Sequence, residues 1–197
     1  HDRGPSFFTA SLLGGRQDMD LSRLALSNGT VVSADASPSG LVAGVSLEAG
    51  IDLRLRENLT LTPSLWASYL HQWVGSYEEE GADAMNLDVA AYDSGALRGK
   101  GELKASYEAL LGTSLVSPYV KLGAVVDVPL GGEVDASLAT GEDFNLSLDE
   151  ERRVSGLVGL GLDVSWSPRA RGYLAYEGEL SETASVQTLS AGIRVLW

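Results

Sequence analysis

The chain has 197 residues, enough for one domain with a substantial interior, with 44% hydrophobic and 21% charged residues and a net charge of −13. That balance excludes a disordered acidic tail and a continuously apolar helical membrane protein. It also argues against a nucleic-acid partner, because phosphate binding needs clustered Lys and Arg. With no cysteine there is neither a disulfide framework nor a thiolate metal site. No run approaches the roughly 18 apolar residues of a transmembrane helix. The chain opens His1-Asp2-Arg3-Gly4-Pro5 without a signal peptide, so its N-terminus reads as processed or truncated.

Taken in order, residues 7–17 form a weak strand, followed by a polar link over about 18–40. Residues 41–55 carry the clearest pattern. Leu41, Ala43, Val45, Leu47, Ala49, Ile51, Leu53 and Leu55 alternate with Val42, Gly44, Ser46, Glu48, Gly50, Asp52 and Arg54. A strand throws successive side chains to opposite faces, so this segment has one apolar and one polar face. On a helix the same residues would scatter around the circumference.

After a short link at Arg56-Glu57-Asn58, residues 59–73 make a strand in which Trp66 has the parity of the polar face. A long link over about 74–95 leads to residues 97–109. Here Leu97, Leu103, Ala105, Tyr107 and Ala109 oppose Arg98, Lys100, Glu102, Lys104, Ser106 and Glu108. A short link around 110–117 precedes a weaker strand at 118–128, then a long link over about 131–151.

In residues 154–166, Val158, Leu160, Leu162, Val164 and Trp166 oppose Ser155, Gly159, Gly161, Asp163 and Ser165. A turn at Ser167-Pro168-Arg169-Ala170 joins a strand at 172–180, and a short hairpin at 181–185 joins the last. There Leu189, Ala191, Ile193, Val195 and Trp197 oppose Thr188, Ser190, Gly192 and Arg194. The count is about eight antiparallel strands and no helix.

Alternation alone leaves open which face meets water, since a soluble sandwich would bury the apolar one. Three features point to a membrane. Fifteen alternating residues at 41–55 would span about 50 Å, enough to cross a tilted apolar band about 25 Å tall. Short and long links alternate up to the last hairpin, the layout of short periplasmic turns and longer extracellular loops. The chain also ends on an aromatic closing an amphipathic strand. Backbone groups in lipid must all be paired, which favours a closed antiparallel up-and-down transmembrane β-barrel. Tyr69, Trp73, Tyr107, Tyr119, Trp166, Tyr176 and Trp197 are candidate interfacial girdles.

Catalytic signals are weak. His71 shares the face of Leu65, Ala67 and Tyr69, which suits an interface better than the base of a Ser–His–acid site. Gly156, Gly159 and Gly161 lie within a strand, not in the strand-to-helix turn of a dinucleotide fingerprint. Asp18-x-Asp20 and the acids at 78–83 offer hard oxygen ligands but no EF-hand loop. These runs, with those at 142–143 and 149–151, read as solvated loops. The informative set is the inward face: Glu48, Asp52, Arg54, Arg98, Lys100, Glu102, Lys104, Glu108, Asp163, Glu177, Glu179 and Arg194. Such charges need partners or water, so they predict cross-lumen ion pairs lining a hydrophilic path.

Several segments resemble the translocator domain of autotransporters (type V secretion). They are Leu59-Thr60-Leu61-Thr62-Pro63 with Trp66-Ala67-Ser68-Tyr69, and Gly81-Ala82-Asp83-Ala84-Met85-Asn86-Leu87-Asp88-Val89. They continue with Ser94-Gly95-Ala96-Leu97-Arg98-Gly99 ending Lys104-Ala105-Ser106-Tyr107, Pro118-Tyr119-Val120-Lys121-Leu122-Gly123, and Ala191-Gly192-Ile193-Arg194-Val195-Leu196-Trp197. The resemblance implies a 12-stranded barrel in the outer membrane of a Gram-negative bacterium that helps its own N-terminal passenger reach the surface, without catalysis or a cofactor. It implies passage past periplasmic chaperones and insertion by the barrel-assembly machinery, with Leu189, Ala191, Ile193, Val195 and Trp197 as assembly signal. Residues 1–197 would then be one domain holding only the later strands. The alternatives are a self-contained eight-stranded outer-membrane barrel, acting as adhesin or anchor, and a soluble β-sandwich binding module.

Overall fold

The computed structural model describes residues 5–27, 29–148 and 151–196. In chain order the strands are β1 (Ser6–Asp18), β2 (Leu21–Ser27), β3 (Thr30–Ala36), β4 (Ser39–Ile51), β5 (Leu53–Arg56), β6 (Leu59–Val74), β7 (Tyr77–Glu78), β8 (Leu87–Val89), β9 (Tyr92–Tyr107), β10 (Ala109–Leu111), β11 (Ser114–Leu130), β12 (Glu133–Leu138), β13 (Asp143–Ser147), β14 (Arg153–Ser167), β15 (Ala170–Leu180) and β16 (Ser185–Val195). One short 3-10 turn covers Asp83–Met85.

The wall is a single antiparallel sheet in the order β1-β4-β6-β9-β11-β14-β15-β16, with β5 and β10 completing β6 and β11 at the turn end. This is an up-and-down meander, not two sheets packed face to face. All eight expected strands are present, although Asp52 interrupts 41–55 and divides it into β4 and β5. Among the described residues β1 pairs with β4 alone and β16 with β15 alone, so the sheet curls into a half-barrel with two free edges.

The curl follows from one ion pair. Arg98 on β9 meets Glu179 on β15, with β11 and β14 between them. On a flat sheet their Cα atoms would stand about 20 Å apart, three strand spacings across and four residues along. The side chains touch because this face is concave. Its parity is that of the charged residues, and it also holds the largest fully buried side chains, Val125 and Leu157.

The convex face is apolar and bare. Phe8, Leu12, Leu65, Leu122, Leu160, Leu189 and Ile193 all lie on it, exposed by between 57% and 87%. So wide an uncovered apolar belt would drive association in water, and hydrocarbon removes that cost. The belt has the right height. From Leu59, paired with Tyr107, to Tyr69, paired with Leu97, is ten residues along β6. That is about 33 Å of strand, or about 25 Å once tilted by some 40°.

The long links correct the sequence reading, because they continue the wall as strands. Asp18–Ser39 is followed by Leu21–Ala36 with no residue gained or lost, bridged by Met19 N–H donating to Pro38 O at 3.0 Å. Likewise Val74–Tyr92 runs on into Tyr77–Val89, and Asp127–Arg153 into Glu133–Ser147. Even the neighbour pairing persists, since Gly95–Leu130 on β9 and β11 is continued by Val89–Ala136 on β8 and β12. Only the Asp35–Glu80 bridge slips by one residue relative to Gly40–Val74. The wall therefore rises into a crown ordered β2-β3-β7-β8-β12-β13. It stops over β15 and β16, where Ser181 N–H bonds Ala184 O at 2.9 Å in a tight turn.

Candidate functional site: the charged concave wall

Paired residues share a face, so the register places each inward side chain. One row reads Thr9–Glu48–Trp66–Lys100–Val125–Ser155, and the next toward the turn end Phe7–Gly50–Ser64–Glu102–Gly123–Leu157–Glu179. The third is Thr62–Lys104–Lys121–Gly159–Glu177–Thr188. Trp66 thus points inward as its parity required, with Lys100 Nζ 6.0 Å from its ring centre.

These rows, with the flanking row of Arg98 and Asp127 and with Asp163 two rows further toward the turn end, bring four cations and five carboxylates into one ion-pair cluster. Arg98 pairs with Glu179 and, at 3.5 Å, with Asp127. Lys121 pairs with Glu177 and lies 3.7 Å from Glu102, which Lys100 approaches at 3.2 Å. Lys104 stands 4.0 Å from Asp163 and 4.1 Å above the Tyr119 ring. The charges nearly cancel within a half-buried cluster that spans β9, β11, β14 and β15. Balance of this kind offsets the desolvation that a lone buried charge would suffer.

Glycines make the long reaches possible. Lys121 crosses the Gly159 position to reach Glu177 one strand further, and a Cβ there would meet Lys121 Cγ and Cε at 2.6 Å. Tyr119 lies across Gly161 in the same way, at 2.3 Å from a would-be Cβ. These two glycines are cleared floor for a neighbouring side chain, as expected for strand glycines.

The sequence reading placed Arg98, Lys100, Glu102, Lys104, Asp163, Glu177 and Glu179 in such a network, and the structure brings them together. It missed Lys121 and Asp127. Glu48, Asp52, Arg54 and Arg194 share the concave face but stand outside the ion-pair cluster. Asp52 accepts the Thr62 hydroxyl at 2.6 Å, and Arg194 is the register partner of Arg171. Tyr119 is corrected: it is not a girdle residue but lies on the concave face against Lys104. Aromatic character at a strand end gave the girdle expectation, and parity overrides it.

The remaining aromatics Tyr69, Trp73, Tyr107, Trp166 and Tyr176 have convex parity, with Tyr107 and Trp166 at the turn end. His71 lies between Tyr69 and Trp73 on that face. Its Nδ1 is 3.0 Å from the Tyr69 hydroxyl, its Nε2 3.3 Å from Asp93, and its ring 4.3 Å edge-on from Trp73. Leu189, Ala191, Ile193 and Val195 form the convex ridge of β16, while Trp197 lies outside the described residues.

The acidic link at 78–83 is also corrected, because Glu79 is a half-buried anchor and not a solvated loop residue. Arg23 donates to it through Nε at 3.0 Å and through its second guanidinium nitrogen, and Leu87 N–H donates at 3.0 Å. Arg23 also reaches Met85 O at 2.8 Å. The Arg23 hydrogen bond holds the Glu79 carboxyl below the usual range, against burial that would raise it. Beside this pair Ala25, Ala34 and Ala82 pack with Val32 and Met85, fastening the β2–β3 hairpin to the next link. A second cluster joins Val89, Val134 and Ala136 to Tyr77, Leu87, Tyr92 and Leu148.

Residues 1–177 match the family model described as autotransporter beta-domain. No curated protein sequence matches the chain.

Proposed function

Because the chain belongs to the autotransporter β-domain family, outer-membrane translocator barrels of Gram-negative bacteria, we propose that its concave charged wall lines the path of its own N-terminal passenger. The observation that carries this reading is the self-neutralising cluster around Arg98, Lys121, Glu102, Glu177 and Glu179. A wall whose charges already have partners stays wet without gripping a passing peptide, since few uncompensated charges remain to bind it.

The two free edges support a barrel wider than eight strands. Unpaired backbone is too costly in hydrocarbon to persist, and among the described residues β1 pairs on one side only, with β4. Further strands of the same barrel would pair with β1 and β16, and residues 1–197 would share one domain with them. The convex ridge of β16 fits the assembly signal expected of a last strand, read by the barrel-assembly machinery after periplasmic chaperones deliver the unfolded chain.

Photo-crosslinking during export tests the path. A photoreactive residue at Lys104 or Ser106, on the concave face, is expected to capture passenger in transit. One at Leu122, on the convex face, is expected to capture none. Equal capture from both faces would overturn the assignment.

A further inference from the structure

The crown ends abruptly at β13. Its partner β12 bonds to alternate residues, since Leu138 N–H donates to Glu142 O at 2.9 Å and Leu148 N–H to Gly132 O at 2.8 Å. The even positions therefore face β12. The N–H and C=O groups of Asp143, Asn145 and Ser147 point the other way, and among the described residues no strand meets them. Among the described residues no strand covers this edge, because β15 and β16 turn tightly at Ser181–Ala184, below the crown. An edge of this kind accepts an added strand through main-chain hydrogen bonds.

Side chains state what that strand should carry. On one face of β13, Phe144 and Leu146 are exposed by 36% and 55%, an apolar strip level with Ala136 and Val134. The opposite face is acidic. Asp143 lies in register with Ser137 and Asp88, and Asp88 with Glu78. Asp135 stands beside them with Asn145 Nδ2 donating to it at 2.8 Å. Together Asp88, Asp135, Asp143, Phe144 and Asn145 border an open groove of about 530 Å³. No cation lies within ion-pair distance of Glu78, Asp88, Asp135 or Asp143 among the described residues. Like charges on neighbouring strands repel, so a cationic partner would relieve a strain already present.

We infer that the β13 edge is a docking site for an extended polypeptide strand whose side chains alternate basic and apolar. Main-chain bonds to Asp143, Asn145 and Ser147 would hold it, basic side chains would meet the acidic face, and apolar ones would cover Phe144 and Leu146. A second copy of this chain suits the site poorly, because two β13 edges would set Asp143 and its acidic neighbours against their own copies.

The test uses the full-length protein purified in detergent and fluorescent seven-residue peptides alternating lysine and valine. Binding is expected for this peptide, and is expected to fall at least tenfold when glutamate replaces lysine. It should be lost when the peptide backbone is N-methylated on its bonding edge. Asn145→Pro removes an outward N–H without touching the β12 side, and is expected to abolish binding. Asn145→Ala keeps the N–H and is expected to bind within about threefold of the parent, which separates docking from misfolding. Equal affinity for the lysine and glutamate peptides, retention by the N-methylated peptide, or concentration-dependent dimerisation blocked by Asn145→Pro would overturn the inference.

Discussion

Leu122 offers the sharpest test of which face meets lipid. It lies on the convex face, exposed by 64%, in register with Leu103 and Val158 and through Leu103 with Pro63. On β6, Pro63 is four residues from the Leu59–Tyr107 row and six from the Tyr69–Leu97 row. At about 3.3 Å per residue and a tilt of about 40°, those steps are about 10 Å and 15 Å of depth. Leu122 therefore sits close to the middle of the apolar belt. Leu122→Arg is expected to cost about 2–4 kcal/mol, the range for a cation at the midplane of a β-barrel. Leu111 has the same parity but lies beyond the Tyr107 row at the turn end. Leu111→Arg should therefore cost only about 0–1 kcal/mol. Reversible guanidinium unfolding of the protein folded in lipid vesicles measures both. If Leu122→Arg cost no more than Leu111→Arg, the belt would not be where the register puts it.

Three further outcomes follow from the concave face and the crown. Gly159→Ala drives a methyl into Lys121 and should cost roughly 1–3 kcal/mol, but much less once Lys121→Ala has removed the obstruction; a double-mutant cycle showing additivity would contradict the crossing. Neutralising Arg98, Lys100 and Lys104 together with Gln leaves five carboxylates facing Lys121 alone, so planar-bilayer conductance should shift toward cation selectivity while insertion persists. The Glu79 carboxyl is held below its ordinary value, so its contribution to the crown is fully present at neutral pH and is lost as pH falls through the folded pKa. Protection of the Leu87 amide, measured against the exchange rate of an unstructured amide at the same pH, should fall on acidification, and Glu79→Gln should remove that fall while lowering protection at neutral pH.

The wall was legible because its strands alternate cleanly. Residues 41–55 and 97–109 mark both faces, and Trp66 betrayed its inward position by parity alone. On β11 the signal blurs, since inward Val125 sits beside outward Val126 and both are apolar. Lys121 and Asp127 consequently did not register as members of the charged set, and Tyr119 passed for a girdle residue. Gly159 and Gly161 read as relief of crowding without showing what needed the room. That depends on Lys121 and Tyr119 being their register partners, which pairing decides and local sequence does not.

The crown was hidden by its polarity more than by its pattern. Glu133-Val134-Asp135-Ala136-Ser137-Leu138 alternates as strictly as any wall strand. Its acidic half resembles the solvated links around it, so composition masked the periodicity. Nor could sequence show that β2–β3, β7–β8 and β12–β13 keep the register of the hairpins below them. The Arg23–Glu79 anchor joins residues 56 positions apart, and only folding brings them within reach.

The charged concave face is an aqueous lumen, and the apolar convex face meets lipid. Single cysteines at consecutive positions of β4, in full-length protein in outer-membrane vesicles, test it directly. A membrane-impermeant maleimide is expected to label positions 46 and 48, the places of Ser46 and Glu48, far faster than 45, 47 and 49. Labelling of the opposite parity would place the charged face against lipid, and labelling of both parities alike would mean that neither face is covered by it.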